Sequence, residues 1–207
     1  MTTKRFPIER FEEARERFGH LVHKTPLMGS KAFSDLIGVP VYFKCENLQK
    51  TGSFKVRGAL NKILQLSREE KSRGVATISA GNHAQAVAWA AASIGVHSLV
   101  VMPESASPTK VAASKSYGAE VILHGDTKAA FIKVLEICSD RGHTFLHPFD
   151  DEEVIVGHGT CALEILEQLE ETSSVVVPVG GGGLSSGIAA GMAALGRDTS
   201  VWGVEPE

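Results

Sequence analysis

The stretch Ser173–Gly196, SSVVVPVGGGGLSSGIAAGMAALG, decides how the rest of the chain is read. Its first half is a β-branched, apolar run, its middle is four glycines from Gly180 to Gly183, and its second half is an alanine- and glycine-rich helix pattern. Strand, loop and helix in that order are the unit of a parallel α/β sheet. Adjacent glycines carry no Cβ, so successive backbone N–H groups can converge on an anion at the positive end of the helix. A phosphate is the natural occupant. No Lys-Ser/Thr pair follows the glycines, as a nucleoside triphosphate loop requires. The dinucleotide register fails too, because Ser185 or Ser186 falls where the third glycine should be. A single phosphomonoester fits better. Gly187 and Gly191, four apart, are expected to permit close helix packing.

Working outward, short β-branched runs alternate with helical patterns from about Val41 onward: VYFKC, VATIS, HSLVVM, AEVILH, HTFLH, SVVVPV and SVWGVE read as strands. Several are too continuously apolar to expose a face. The expected fold class is α/β, an open and mostly parallel sheet with helices on both sides. Helix ends carry chemical punctuation. Ser107, Pro108 and Gly118 mark one helix, and Ser30 and Gly38 another. The chain ends directly after VWGVE with no closing helix, so the sheet is expected to be incomplete.

Composition narrows the partners. With 207 residues and 43% apolar content the chain can bury a substantial core. The 21 basic and 24 acidic residues leave a net charge of -3 and no basic stripe, which argues against nucleic acid. No stretch reaches the roughly 18 apolar residues of a membrane span. The N-terminal MTTKRFPIERFEEARERF mixes both charges and lacks an apolar segment, unlike a signal peptide. A cytoplasmic protein is expected. The three cysteines, Cys45, Cys138 and Cys161, form no CxxC pair and read as packing residues.

A second stretch, TGSFKVRG at Thr51–Gly58, places Lys55 between Phe54 and a helix start. An amine becomes a carbonyl-condensing nucleophile only if it can lose its proton, which burial and the helix dipole both encourage. A third, TISAGNHAQAVAWAA, again follows a strand and opens a helix. There the helix-start amides, with Ser79 and Asn82, could bind a carboxylate or a phenolic oxygen.

Together KCENLQKTGSFKVRGA, SAGNHAQA, VMPESASPTKV, YGAEVILHG, GHGTCALEI, VPVGGGGLSSG and GVEPE resemble, block by block and in order, the serine/threonine dehydratase and serine racemase family of pyridoxal-phosphate enzymes of the tryptophan synthase β fold type. The resemblance implies pyridoxal 5'-phosphate as cofactor. Lys55 would condense with its aldehyde and later act as the base at the substrate Cα. Phe54 would pack against the pyridine ring and Asn82 would hydrogen-bond its phenolic oxygen. Gly180, Gly181, Gly182 and Gly183, with Leu184, would cradle the phosphate. Ser79, Ala80, Gly81, Asn82 and His83 would hold the substrate carboxylate. Glu205 matches a cation ligand of some members, making a divalent or monovalent cation a second expected cofactor.

The same resemblance implies a larger cofactor-binding lobe from residues 1–73 and 149–207, incomplete because family domains continue past GVEPE, and a smaller inserted lobe at 74–148. The expected reaction is β-elimination of threonine or serine to 2-oxobutanoate or pyruvate and ammonia, by a homo-oligomer when full length. Serine racemase, or a truncated and inactive cofactor-binding protein, is the alternative. Racemases carry a serine where this chain has Ala80, and a carboxylate-binding arginine where it has Phe131. Threonine synthases follow the lysine with aspartate, here Val56. His158 stands where the family pattern GQGT has glutamine.

Overall fold

The structure, a computed structural model, describes residues 6–206; the first five residues of the N-terminal stretch and Glu207 lie outside it. Helix α1 (Ile8–Phe18) buries Phe11, Ala14 and Phe18, the i, i+3, i+7 stripe of an amphipathic helix. Strand β1 (Leu27–Gly29) leads to α2 (Lys31–Ile37), where Ser30 accepts from the Phe33 N–H and Gly38 exits in the left-handed region, as expected. Strand β2 (Tyr42–Lys44) then returns antiparallel to β1. This corrects the reading of VYFKC as part of the parallel pattern: Leu27–Gly29, too short and mixed to read as a strand, is its partner.

Two short 3-10 turns, Glu46–Leu48 and Lys50–Gly52, precede α3 (Lys55–Gln65). Helix α4 (Arg68–Arg73) begins with a reciprocal Ser67/Glu70 capping box. The alternation then runs β3 (Val75–Ile78), α5 (Asn82–Ser93), β4 (Ser98–Met102), α6 (Pro108–Ser116), β5 (Glu120–Leu123), α7 (Thr127–Arg141) and β6 (Thr144–Phe145). Pro108 sits in the first turn of α6, but Ser107 makes no side-chain cap there. Its expected role reduces to the backbone bend at the cap position.

These strands form a four-stranded parallel sheet in the order β5-β4-β3-β6. Every residue of β3 and β4 is buried, because successive side chains enter opposite layers. Ala76, Ile78, Leu99 and Val101 pack with Ala130, Val134 and Ile137 of α7. Val100 and Met102 pack with Ala84 and Ala88 of α5 on the other side.

The remaining elements are α8 (Glu152–Gln168), β7 (Ser174–Pro178), α9 (Gly183–Ala194) and β8 (Ser200–Val204), with β7 and β8 parallel. Here the expectation of wholly buried strands fails: Val176, Trp202 and Val204 are exposed, one face of this two-stranded sheet being uncovered among the described residues. Helix α8 is buried along most of its length and touches α1, α3 and α9. Glycines make those approaches possible. A Cβ on Gly157 would lie 2.5 Å from the Arg57 carbonyl oxygen, and one on Gly187 would lie 2.5 Å from that of Ile155. Gly191 likewise abuts Ala162, so both glycines expected to serve helix packing do so. Cys161 belongs to the buried cluster beneath α9, where burial pushes its thiol up to about 12, consistent with a packing role.

A buried ion network pins α3 to α8. The Arg57 guanidinium is fully buried; it donates to Glu46 through Nε and Nη2 (both 2.8 Å) and to Glu164 through Nη1 (2.6 Å) and Nη2 (3.0 Å). Lys44 donates to Glu164 at 2.5 Å and to the Thr25 carbonyl at 2.7 Å. Burial pushes the Glu46 carboxyl up, but Arg57 outweighs it and holds the group below its ordinary value. Replacing Arg57 with Met is expected to cost about 3–5 kcal/mol, because Glu46 and Glu164 are left as buried anions. Adding Glu46→Gln to that variant should restore part of the loss. Urea unfolding of both variants checks this, and equal stability of the two would contradict it.

Candidate active site

The site begins with a backbone that is bent before the helix starts. Thr51 adopts a left-handed φ of 58° and Gly52 one of 72°. For a β-branched residue that conformation costs about 1–2 kcal/mol. The turn delivers Phe54 and Lys55 directly into α3, whose first turn is fixed by Arg57. Lys55 Nζ donates to the Pro148 carbonyl at 2.7 Å and lies 5.2 Å from the centroid of the Phe54 ring.

Across from it runs the glycine loop. A cleft of about 420 Å³ is lined by Phe54, Lys55, Phe149, Pro178 to Leu184, Val204 and Pro206. Gly180 meets nothing within 4 Å of where a Cβ would stand, so the cleft is open there. Gly181 is glycine because Phe149 covers it, its Cβ position falling 2.2 Å from that ring. Gly182 takes a left-handed φ of 83° and starts α9 with no side-chain cap. The first-turn N–H groups of α9 are thus left for an anion.

The structure brings Phe54, Lys55, Gly180 to Gly183 and Leu184 into this one cleft. It does not place the asparagine loop on the same wall. Gly81 caps α5, Asn82 is its exposed first residue, and Ser79 Oγ accepts from the Gly81 N–H at 3.0 Å. The His83 ring is 3% exposed, with Nε2 3.4 Å from the Leu146 carbonyl. Burial and then the nearby Lys55 charge push its pKa down to about 3, so the ring is neutral. Any help from His83 to a carboxylate therefore comes from the helix-start backbone and not from a charged ring. Phe131 lies on α7 and packs edge-on to Phe145 at 5.9 Å. Glu205 is exposed, and no group of three His, Cys, Asp or Glu side chains among the described residues could hold a metal ion.

Several buried polar atoms on and behind the elements that carry Lys55 lack partners. Thr51 Oγ1, Ser53 Oγ, His83 Nδ1 and both ring nitrogens of His158 are all unsatisfied among the described residues. Each such atom costs about 1–3 kcal/mol unless something completes it. The glycine cradle, the flat face of Phe54 and the Lys55 amine fit a planar, aldehyde-bearing phosphate ester.

Two contributors were not apparent in the sequence. Pro148 acts through its carbonyl, which any residue type supplies, so no side-chain signal marks it. Phe149 could have been found from its place in HPFDDEE, a loop following a strand and opening α8, had its neighbour across the fold been known.

Burial lowers the Lys55 amine from the ordinary 10.5 to about 8. Below pH 8 the amine is protonated in both folded and unfolded states, so the fold carries the whole desolvation penalty. Between about 8 and 10.5 only the folded state gives up its proton, and stability rises with pH. Replacing Lys55 with Met should stabilise the chain by about 1–3 kcal/mol at pH 7. That gain should vanish by pH 10.5. Denaturant unfolding at the two pH values tests this, and a gain independent of pH would contradict it.

The sequence profile of the family described as pyridoxal-phosphate dependent enzyme matches residues 20–207. An L-threonine ammonia-lyase of Geobacter sulfurreducens is 46% identical over 200 residues, which cover 96% of this chain and 50% of that protein. The catabolic L-threonine dehydratase TdcB of Escherichia coli is 44% identical over 201 residues, covering 97% and 61%. The crystal structure of serine racemase from Dictyostelium discoideum superposes with a TM-score of 0.92 at 41% identity, covering 97% of this chain and 66% of that one. The chain spans about half to three fifths of the length of the curated relatives it matches.

Proposed function

Because the chain belongs to the pyridoxal-phosphate dependent enzyme family, with pyridoxal 5'-phosphate as its cofactor, we propose that it catalyses β-elimination of L-threonine and L-serine, releasing 2-oxobutanoate or pyruvate and ammonia. The observation that carries this reading is Lys55, whose amine is lowered to about 8 beside a glycine-lined cleft. When bound, the cofactor supplies an aldehyde that condenses with amines and a ring that delocalises charge from Cα.

The remaining work falls to this chain's own residues. Lys55 is the condensing amine and, once released, the base that holds the Cα proton; a pKa near the working pH suits both tasks. Phe54 offers a flat apolar face beside it. Asn82 is the donor for the phenolic oxygen, and the N–H groups of Gly180 to Gly183 and Leu184 hold the phosphate. Backbone groups of Ser79, Ala80, Gly81, Asn82 and His83 orient the substrate carboxylate at the start of α5. Residues 74–148 are read as a smaller lobe that closes on substrate and excludes water, against a larger lobe of 1–73 and 149–207. Release of 2-oxobutanoate would place the reaction in isoleucine biosynthesis in the cytoplasm, carried out by a homo-oligomer. Among the described residues no helix is long and apolar enough to cross a membrane.

Serine racemase is the second reading, favoured by the superposition on the Dictyostelium enzyme. Ala80 argues against it, since its methyl group has no proton to return to the opposite face of Cα. Chiral analysis of recovered serine separates the two, and substantial D-serine would favour racemisation. For the elimination itself, borohydride should fix the cofactor onto Lys55, as seen by peptide mass. Replacing Lys55 with Ala should reduce 2-oxo acid release from threonine by roughly 10²–10⁴-fold or more. Release at the parental rate would sink the assignment.

A further inference from the structure

His158 is part of neither the cradle nor the carboxylate site, yet it lies against both Phe54 and α3. It is wholly buried on α8, and neither ring nitrogen has a hydrogen-bond partner among the described residues. Two unsatisfied nitrogens are a standing cost, so the ring is kept for its shape or its dryness. Its contacts say which. The imidazole meets the Phe54 ring edge-on, with centroids 4.9 Å apart and planes at 80°. Its Nε2 fills the space left by the missing side chain of Gly58, where a Cβ would lie only 2.6 Å away. Phe54 in turn lies 5.2 Å from the Lys55 amine. His158, Phe54 and Lys55 thus form a continuous packed column at the start of α3.

We propose that His158 is a positioning residue, whose ring wedges Phe54 against the first turn of α3 and keeps water from the side of the Lys55 amine that faces away from the cleft. The titratable and charged groups around this column are Lys55 and Arg57 of α3, His83 of α5, His158 of α8, and His147 after β6. His158 is held neutral by burial first and then by the charge of Lys55, while the Gly183 backbone, close enough to favour the protonated ring yet outside hydrogen-bond geometry, opposes this. His83 is held neutral in the same way. Burial is the one cause that depresses Lys55. Burial is therefore the lever on the amine, and the imidazole is the part of the column behind Phe54 that a single substitution removes without touching Lys55 or Phe54.

The inference rests on Lys55 being the condensing amine, but its test is read on cofactor-free protein, so the two can fail separately. Lysines labelled by reductive ¹³C-methylation are titrated by NMR, with Lys55 assigned by its loss in Lys55→Arg. In the parent chain the Lys55 signal should titrate near 8. His158→Ala opens an imidazole-sized space large enough for water and should raise the midpoint by about one unit. His158→Gln, whose flexible amide can carry water into the column, should also raise it. His158→Phe fills the space with a somewhat larger apolar ring and stays dry, so its midpoint should remain that of the parent. A purely structural role would lower the melting temperature of His158→Ala while leaving the midpoint in place. The proposal is overturned if folded His158→Ala or His158→Gln titrates with the parent, or if His158→Phe shifts as far as they do. Should His158→Ala fail to fold, the Gln and Phe variants decide it alone.

Discussion

Everything at the site depends on a guanidinium with no access to water. Arg57 is two residues past Lys55, so whatever fixes Arg57 fixes the rotation and height of the first turn of α3. Glu46 from the preceding 3-10 turn and Glu164 from α8 grip it from two sides, and Lys44 completes the charge on Glu164. A planar, five-donor cation suits such a clamp in a way that an ammonium would not. The penalty for burying three or four charges is met only because each donor finds an acceptor. The clamp is better understood as a device for register than as a source of stability.

That register makes the glycines of α8 and α9 intelligible. Once α3 is drawn onto α8, its backbone comes within van der Waals contact at Gly58 and Gly157, and α9 closes from the other side at Gly159 and Gly187. Three helices at this spacing bring the starts of α3 and α9 to the same cleft. Their positive ends then serve opposite purposes. At α9 the uncapped amides favour an anion, whereas at α3 the same polarity works with burial against a protonated Lys55. One geometric arrangement thus leaves both a set of uncapped amides and a weakened ammonium on the same cleft.

Much of this was legible in the sequence because it is written in local chemistry. A glycine run between an apolar strand and a helix has few alternatives, and the end signals Ser30, Gly38 and Pro108 all lie where the spacing put them. Lys55 was legible from its setting and from the blocks around it. Features that require two distant segments at once were not. The network of Arg57 joins residues more than a hundred positions apart, and nothing near Arg57 in the chain distinguishes it from a solvated arginine. The same holds for Phe149 over Gly181. The burial of β7 and β8 was misjudged for a related reason: an apolar run shows that a strand can be covered on both faces, not that both covers are present.

His158 shows why an unusual residue can be conspicuous in a sequence and still resist interpretation until its surroundings are known. A histidine on a helix usually announces a titratable group, and the pocket around Lys55 holds two imidazoles. Both are too dry, and too close to a cation, to accept a proton near neutrality. With the imidazoles silenced, Lys55 is the base in this buried cluster whose protonation changes close to neutral pH. The proposed role of Lys55 at Cα gains from that arrangement, because neighbouring imidazoles with ordinary pKa values would compete for the proton. Burial here does more than weaken the lysine: it selects which of three nitrogen bases remains available to react.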